Sequence, residues 1–313
     1  MSDCESPQTD SQQADALVTG ATGFLGSRLV DRLVSGGVTV TCTTRSTEAP
    51  VRDDVHWRRC DLTQPAAVTE LFAETRPSVV YHLASHVSGL REPENVPMTL
   101  AGNLTAAVNV LLAALQIGAR RVVLAGSYEE PEPGAAPRSP YAAAKAGATA
   151  YARMFWSLYG LSTVVLRPAM IYGPGQPDTS KLIPYVARAF LAGEVPVLGS
   201  GRRPIDWVYV DDVVSAFEMA ATTPGVDGEV IDIGSGELHT IADVVSVLRA
   251  VTGAPVDAEF GGLADRPSEQ ILAADIERAE QLLGWHATTS LEEGLRRTVE
   301  SIRSNAEATA GHG

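Results

Sequence analysis

The stretch that most limits what this chain can fold into is Thr19-Gly20-Ala21-Thr22-Gly23-Phe24-Leu25-Gly26. It stands between a short apolar run, Ala16 to Thr19, and a segment whose Leu25, Leu29, Val30 and Leu33 share one helical face. Glycines at those places permit a tight turn, let backbone N–H groups approach an anion, and allow a helix to pack closely on a strand. The helix start adds the positive end of its dipole. A strand, a glycine-rich turn and an amphipathic helix in that order read as a pyrophosphate-binding unit, with Gly20, Thr22, Gly23, Phe24, Leu25 and Gly26 around the ligand.

Downstream the alternation repeats. Val38 to Thr43, Val55 to Cys60, Ser78 to Ala84, Arg121 to Ala125 and Thr163 to Arg167 read as strands. Helices are predicted over Phe24 to Ser35, about Pro65 to Thr75, Met98 to Ile117 and Pro140 to Tyr159. This order implies right-handed βαβ units, hence an α/β fold with a Rossmann-like, doubly wound parallel sheet covered on both faces. Beyond Tyr172 the pattern loosens. It offers a helix near Leu182 to Leu191, a strand and helix from Val208 to Thr222, a sheet strand at Val230 to Ile233, then two or three helices and a short strand near Val256. The expected division is a dinucleotide-binding domain over residues 14–172 plus about 206–233, with a smaller interleaved C-terminal substrate lobe over 173–205 plus 234–305. Residues 1–13 and 306–313 are expected to be disordered.

Composition narrows the partners. The 313 residues hold 24 basic and 38 acidic side chains, a net charge of -14. That field repels nucleic-acid phosphates and anionic lipid, so neither is expected as a partner. No run approaches the roughly 18 apolar residues of a membrane span, and the polar, acidic start does not read as a signal peptide. Cys4, Cys42 and Cys60 form no CxxC pair. Buried reduced thiols suit a reducing cytosol, no metal site follows from them, and a cytoplasmic setting is expected.

The end of the second strand selects the dinucleotide. An acid there would accept hydrogen bonds from the ribose 2′-OH of NAD, but the sequence runs Cys42-Thr43-Thr44-Arg45. A guanidinium suits a 2′-phosphate, so NADP(H) is favoured over NAD(H). Further along, Tyr141 and Lys145 are four apart in a segment that begins a helix at Pro140, which puts phenol and ammonium on one face. An adjacent ammonium is expected to bring the phenol down toward the working range of an acid–base catalyst. Ser127 follows the fifth strand at the carboxyl edge of the sheet, where open α/β folds bind ligands, and its hydroxyl suits a carbonyl oxygen.

With these residues the sequence resembles the extended short-chain dehydrogenase/reductase family, from about Ala14 to Asn305. The matching motifs are TGATGFLG, Asp61-Leu62, Tyr81-His82-Leu83-Ala84, Asn103, YAAAK, Arg167-Pro168, Tyr172-Gly173-Pro174-Gly175, Tyr209-Val210-Asp211-Asp212 and Leu283-Gly284-Trp285. The resemblance implies that Asp61 and Leu62 hold the adenine, that Leu83 and Ala84 lie along the cofactor, and that Pro168 borders the nicotinamide. It implies Ser127, Tyr141 and Lys145 as the catalytic triad, and a homodimer formed through Met98 to Ile117 and Pro140 to Tyr159.

Fold does not choose among the family's reductases, epimerases and dehydratases. The 4,6-dehydratases it resembles have Thr-Asp-Glu where this chain has Ser127-Tyr128-Glu129, so dehydration lacks its usual acid. With Arg45 pointing to an exchanging NADPH, the chain is most similar to bacterial 4-ketoreductases of nucleotide-deoxysugars. The alternatives are an NAD-dependent nucleotide-sugar 4-epimerase, a ketoreductase of an apolar natural product, and a catalytically silent NADP-binding scaffold. Candidate substrate contacts are Ser85, Tyr128, Met170, Arg202 and Arg266. Met170 and Ile205 stand where family members usually grip the diphosphate with asparagine and arginine; with Trp207 they would line a greasier pocket. The segment Glu129 to Arg138 reads as a solvated connection or a mobile lid. His82 and His86 read as structural histidines close to the site, and Lys181 as a surface lysine.

Overall fold

In the computed structural model, which describes residues 16–48, 52–264 and 273–310, the glycine-rich turn joins β1 (Ala16–Thr19) to α1 (Phe24–Ser35). The alternation continues through β2 (Val40–Thr44), β3 (His56–Arg59), α2 (Pro65–Thr75) and β4 (Val79–His82). A helical run follows: a 3-10 turn at Pro93–Asn95, α3 (Val96–Thr99), a π-helical segment at Leu100–Thr105, and α4 (Ala106–Ile117). Then come β5 (Arg121–Ala125), α5 (Pro140–Tyr159) and β6 (Thr163–Pro168). Local chemistry sets the ends of α5: the Ser139 hydroxyl accepts from the Ala142 amide, Pro140 opens the first turn, and Gly160 takes the left-handed conformation at the close.

The remaining elements are β7 (Met170–Tyr172), α6 (Leu182–Ala192), β8 (Val197–Leu198), β9 (Pro204–Tyr209), α7 (Val210–Thr222), β10 (Val230–Ile233), β11 (Leu238–Thr240), α8 (Ile241–Thr252), β12 (Glu259–Phe260), α9 (Ile276–Leu283) and α10 (Leu291–Ala310). Seven strands form one sheet in the order β10-β6-β5-β4-β1-β2-β3, and every pair in it is parallel. One face packs under α1 and α7 through Leu29, Leu33, Val213 and Phe217. The other packs under α2, α4 and α5 through Phe72, Val110, Leu111 and Phe155. The doubly wound sheet expected from the sequence is therefore present, and its order reverses between β1 and β4. That reversal is where such folds open a ligand crevice.

Several sequence expectations are corrected. The strand expected near Val256 lies at β12, paired with β8. The expected start of a helix at Met98 falls inside a longer run that begins at Pro93. By length and composition Pro93–Ile117 is apolar enough to cross a membrane, contrary to the sequence reading, but half of its 18-residue apolar stretch is buried inside the protein. Helix α10 runs past Asn305, where disorder was expected, to Ala310. Leu295 and Val299 bury its inner face, while Glu293 pairs with Arg296 and Arg297 along the outer one. The expected disorder of residues 1–13 and 311–313 lies outside the described residues.

Strands β7 and β9 form a separate three-stranded sheet, β11-β9-β7; β7 has no counterpart among the predicted strands, and the strand predicted from Val208 is the end of β9. Its Ile205, Trp207 and Tyr209 pack with Ile183, Phe190, Leu248 and Leu295 in a third core, whereas Val208 packs into the core of the large sheet. Asp206 fastens this strand from inside. Its fully buried carboxylate accepts from the Ser235 amide and hydroxyl at 2.8 Å each, from the Gly236 amide at 3.1 Å and from the Ala274 amide at 3.0 Å.

Candidate active site

The crevice at the sheet reversal is built by close approach. Gly20 has φ +71°, and a Cβ on it would stand 2.6 Å from the Ala84 amide nitrogen. Any other residue would part the turn from the end of β4. Thr19 completes the join: its hydroxyl accepts from the Ala84 amide at 3.2 Å and shares a 2.9 Å hydrogen bond with His82 Nδ1. Burial brings the His82 pKa down to about 3, so this histidine is a neutral structural tie. Gly23 caps α1 without a side-chain bond, and the first turn holds no acid. The helix start is thereby left to an external anion.

Across the crevice Asp61 accepts from the Thr63 hydroxyl at 2.8 Å and amide at 3.0 Å. These bonds, with the Arg45 charge, hold its carboxyl below the ordinary range. Leu62 is buried, its carbonyl taking the Asn109 side-chain amide at 2.9 Å. Arg45 itself is exposed at the end of β2. An acid-free helix start, an ionised Asp61 and the glycine cradle together fit a nicotinamide dinucleotide.

Ser127, Tyr141 and Lys145 meet beyond the ends of β4 and β5, and all three are buried. The Ser127 and Ser85 hydroxyls face the Tyr141 phenol and favour its ionised form. Lys145 Nζ lies 5.9 Å from the Tyr141 ring centroid and donates to the Ala125 carbonyl at 2.7 Å. Burial pushes its pKa down to about 8, against the pull of the Glu130 charge. The expectation for the phenol is reversed. Burial raises Tyr141 well above its ordinary value; the Ser127 and Ser85 hydroxyls oppose that shift, and the Glu129 and Glu130 charges add to it. The cause is geometric: the ammonium is turned to a backbone carbonyl while the phenol is sealed from water.

Ser85 is set by Asn103 of the π-helical segment. The Ser85 hydroxyl donates to Asn103 Oδ1 at 2.8 Å, the His86 amide donates to the same oxygen at 2.7 Å, and Asn103 Nδ2 donates to the His86 carbonyl at 3.1 Å. Pro168 ends β6 with its carbonyl accepting from the Tyr128 amide at 3.3 Å. Arg203, rather than the exposed Arg202, lies against the Tyr128 phenol. Met170 is half-buried, but Ile205 and Trp207 are core residues of the smaller sheet and do not line an open pocket. Arg266 lies outside the described residues.

The sequence conceals Glu130, which falls in the segment expected to be a solvated connection or a mobile lid; it is 3% exposed and accepts from the Ser127 amide at 2.8 Å. No sequence signal marks it; Gly126 is its structural match, where a Cβ would stand 2.7 Å from Glu130 Oε1.

A phenol, a hydroxyl and an ammonium gathered in this way can serve the interconversion of a carbinol and a carbonyl. The chain is an NAD(P)-dependent oxidoreductase of the extended short-chain dehydrogenase/reductase kind. The sequence model of the NAD dependent epimerase/dehydratase family matches residues 16–234, and the chain belongs to that family. It is 32% identical to the UDP-glucose 4-epimerase of Mycolicibacterium smegmatis, over 93% of this chain and 99% of that one. Among solved structures it is similar to the UDP-glucose 4-epimerase of Thermotoga maritima with UDP-glucose, with TM-score 0.84 and 28% identity over 93% of this chain and 99% of that one. It is also similar to the Thermus thermophilus UDP-glucose 4-epimerase with NAD, with TM-score 0.81 and 29% identity over 92% and 99%.

Proposed function

We propose that this enzyme is an NAD-dependent nucleotide-sugar 4-epimerase, which oxidises the C4 carbinol of a nucleotide-diphosphate hexose and reduces the ketone again from its other face. The observation that most supports this is the end-to-end match with 4-epimerases. Tyr128, in the place of a dehydratase's acid, argues against water elimination.

When bound, a nicotinamide dinucleotide supplies and accepts hydride at the sugar carbon. Tyr141 takes the proton of the C4 hydroxyl on oxidation and returns it on reduction. Ser127 orients the C4 oxygen by hydrogen bond. The phenol ionises where burial opposes ionisation, so the Ser127 and Ser85 hydroxyls offset that cost. Lys145 then also holds the ribose. Gly20, Thr22, Gly23, Phe24, Leu25 and Gly26 bind the pyrophosphate, Asp61 and Leu62 the adenine side, and Leu83, Ala84 and Pro168 the nicotinamide side. With Met170 and Ile205 in place of polar grips, Arg203 takes a larger share of the substrate phosphates.

The test is a panel of UDP- and dTDP-hexoses incubated without added cofactor. The expected result is a mixture of C4 epimers, retention of the C4 hydrogen, and NAD released when the protein is denatured. Net reduction consuming one NADPH per product would overturn the reading.

A second reading, an NADPH-dependent 4-ketoreductase, is favoured by one feature: β2 ends in Thr44-Arg45 with no carboxylate for a ribose 2′-OH. On that reading Arg45→Ala loses about tenfold in NADPH affinity, about 1.4 kcal/mol, and leaves NADH unaffected. On the epimerase reading it changes neither NAD content nor turnover. We further propose a homodimer through the helical run and α5, whose Met98, Leu100, Trp156 and Tyr159 are exposed. A monomer in sedimentation would remove that reading. The buried free thiols Cys42 and Cys60 suit a cytoplasmic setting.

A further inference from the structure

Glu130 begins an acidic, proline-rich loop, yet its carboxylate is folded inward under the redox site. Oε1 accepts the Ser127 amide hydrogen at 2.8 Å, and the Glu130 amide donates to the Ser127 carbonyl at 3.1 Å. The turn that presents Ser127 is thus closed from both sides. The carboxylate also crosses over Gly126. A Cβ there would stand 2.7 Å from Oε1, 2.9 Å from Val165 Cγ1 and 3.0 Å from Arg167 Cγ. Glycine at 126 and glutamate at 130 therefore belong together.

A buried carboxylate is costly unless it is hydrogen-bonded and close to positive charge. Two cations supply that charge, Lys145 and Arg167. Arg167 is already engaged, its Nε donating to Asp232 at 2.6 Å. Lys145, 5% exposed, donates to the carbonyl of Ala125, next to the Gly126 that Glu130 covers, and Glu130 is the anion acting on it.

We propose that Glu130 is a positioning residue of the redox site: its carboxylate fixes the Ser127 turn through the backbone and stands as the buried counter-charge of Lys145. The inference rests on Ser127, Tyr141 and Lys145 being the reacting groups. It holds equally for an epimerase and for a reductase.

The other groups that face this pair are known. His82 on β4 is neutral, Tyr141 lies on α5 with Lys145, Arg167 and Asp232 pair across β6 and β10, and Glu129 and Glu132 flank Glu130 on its loop. Burial raises the Glu130 carboxyl, and the Thr149 hydroxyl, the Ser127 amide and the two cations oppose that shift. Taking away a negative charge beside an ammonium and a phenol makes both release protons more readily.

Glu130→Gln keeps an oxygen for the Ser127 amide and removes the charge. We expect its kcat profile to move to lower pH by about one unit, with cofactor content unchanged at pH 6. Glu130→Asp keeps the charge but falls one methylene short of the Ser127 amide, so kcat drops while the profile stays in place. A Glu130→Gln enzyme with the wild-type profile and kcat would overturn the proposal. If Glu130→Gln does not fold, Gly126→Ala displaces the carboxylate without changing the charge of the chain. Reduced kcat with retained cofactor supports the proposal there, and wild-type kcat overturns it. Tyr141→Phe is measured alongside. Full activity in that variant would refute the reading of the site itself, a result distinct from failure at Glu130.

Discussion

Raising the pH from 7 to 9 should loosen the hold of this protein on its nicotinamide cofactor about tenfold, because Lys145 titrates between those values. The ammonium is buried against the Ala125 carbonyl, and its pKa falls from 10.5 to about 8. If only the charged form binds the ribose, the apparent Kd is multiplied by 1 + 10^(pH − 8). That factor is about 1.1 at pH 7 and about 11 at pH 9, a change of about 1.4 kcal/mol. The assay is a titration of cofactor into the emptied protein at pH 7, 8 and 9, with Lys145→Met in parallel. The variant should bind more weakly at pH 7 and show no dependence on pH. Stability offers a second view of the same group. Its folded pKa lies below the unfolded one, so from pH 8 to 10.5 the unfolded chain holds more protons, and stability rises with pH there. Relative to Lys145→Met, the wild type should gain about 3 kcal/mol across that window. A wild-type Kd that stays flat from pH 7 to 9 would refute the assignment of Lys145 to the cofactor.

Asp206→Ala strips the acceptor from three amides and one hydroxyl that converge on a fully buried carboxylate. It should cost roughly 3–5 kcal/mol, or about 5–10 °C in Tm, and a calorimetric shift under about 2 °C would refute that role. Gly20→Ala sets a Cβ 2.6 Å from the Ala84 amide at φ +71°, a strain of about 1–3 kcal/mol at the cofactor turn. Cofactor affinity should fall at least tenfold, about 1.4 kcal/mol, with the circular dichroism of the fold retained; unchanged affinity would show that the turn tolerates the clash.

The large sheet was legible because its signals are local. Strands such as Val79–His82 are short apolar runs between glycines, prolines and amphipathic helices, and the order of elements then leaves few topologies. The pairing of Tyr141 with Lys145 was legible for the same reason, since the two announce a shared helix face by spacing alone. The smaller sheet was not. Met170–Tyr172 is three residues long and gains its identity from Trp207, Val208 and Tyr209, far along the chain. Glu130 was hidden by its neighbours, because Glu129, Pro131 and Glu132 read as solvated loop and only the fold turns one of these acids inward. The raised phenol of Tyr141 also needed coordinates, since spacing gives proximity to Lys145 but not the depth of burial.

The wide turn at Leu100–Thr105 governs how this helix can change in length. A π-helical turn adds a residue to the usual winding, so Asn103 faces the loop at Ser85 and His86 while Ala106, Ala107 and Val110 still face the sheet. A residue inserted upstream of Leu100 would rotate only the outer part of the run, where Val96 and Met98 are exposed. One inserted between Asn103 and Ala106 would swing Asn103 by about 100° relative to the sheet and release Ser85 from beside Tyr141. The two halves of one continuous helix are therefore under different constraints from the site: length upstream of Leu100 leaves Ser85 in place, and between Asn103 and Ala106 it is locked to the residue.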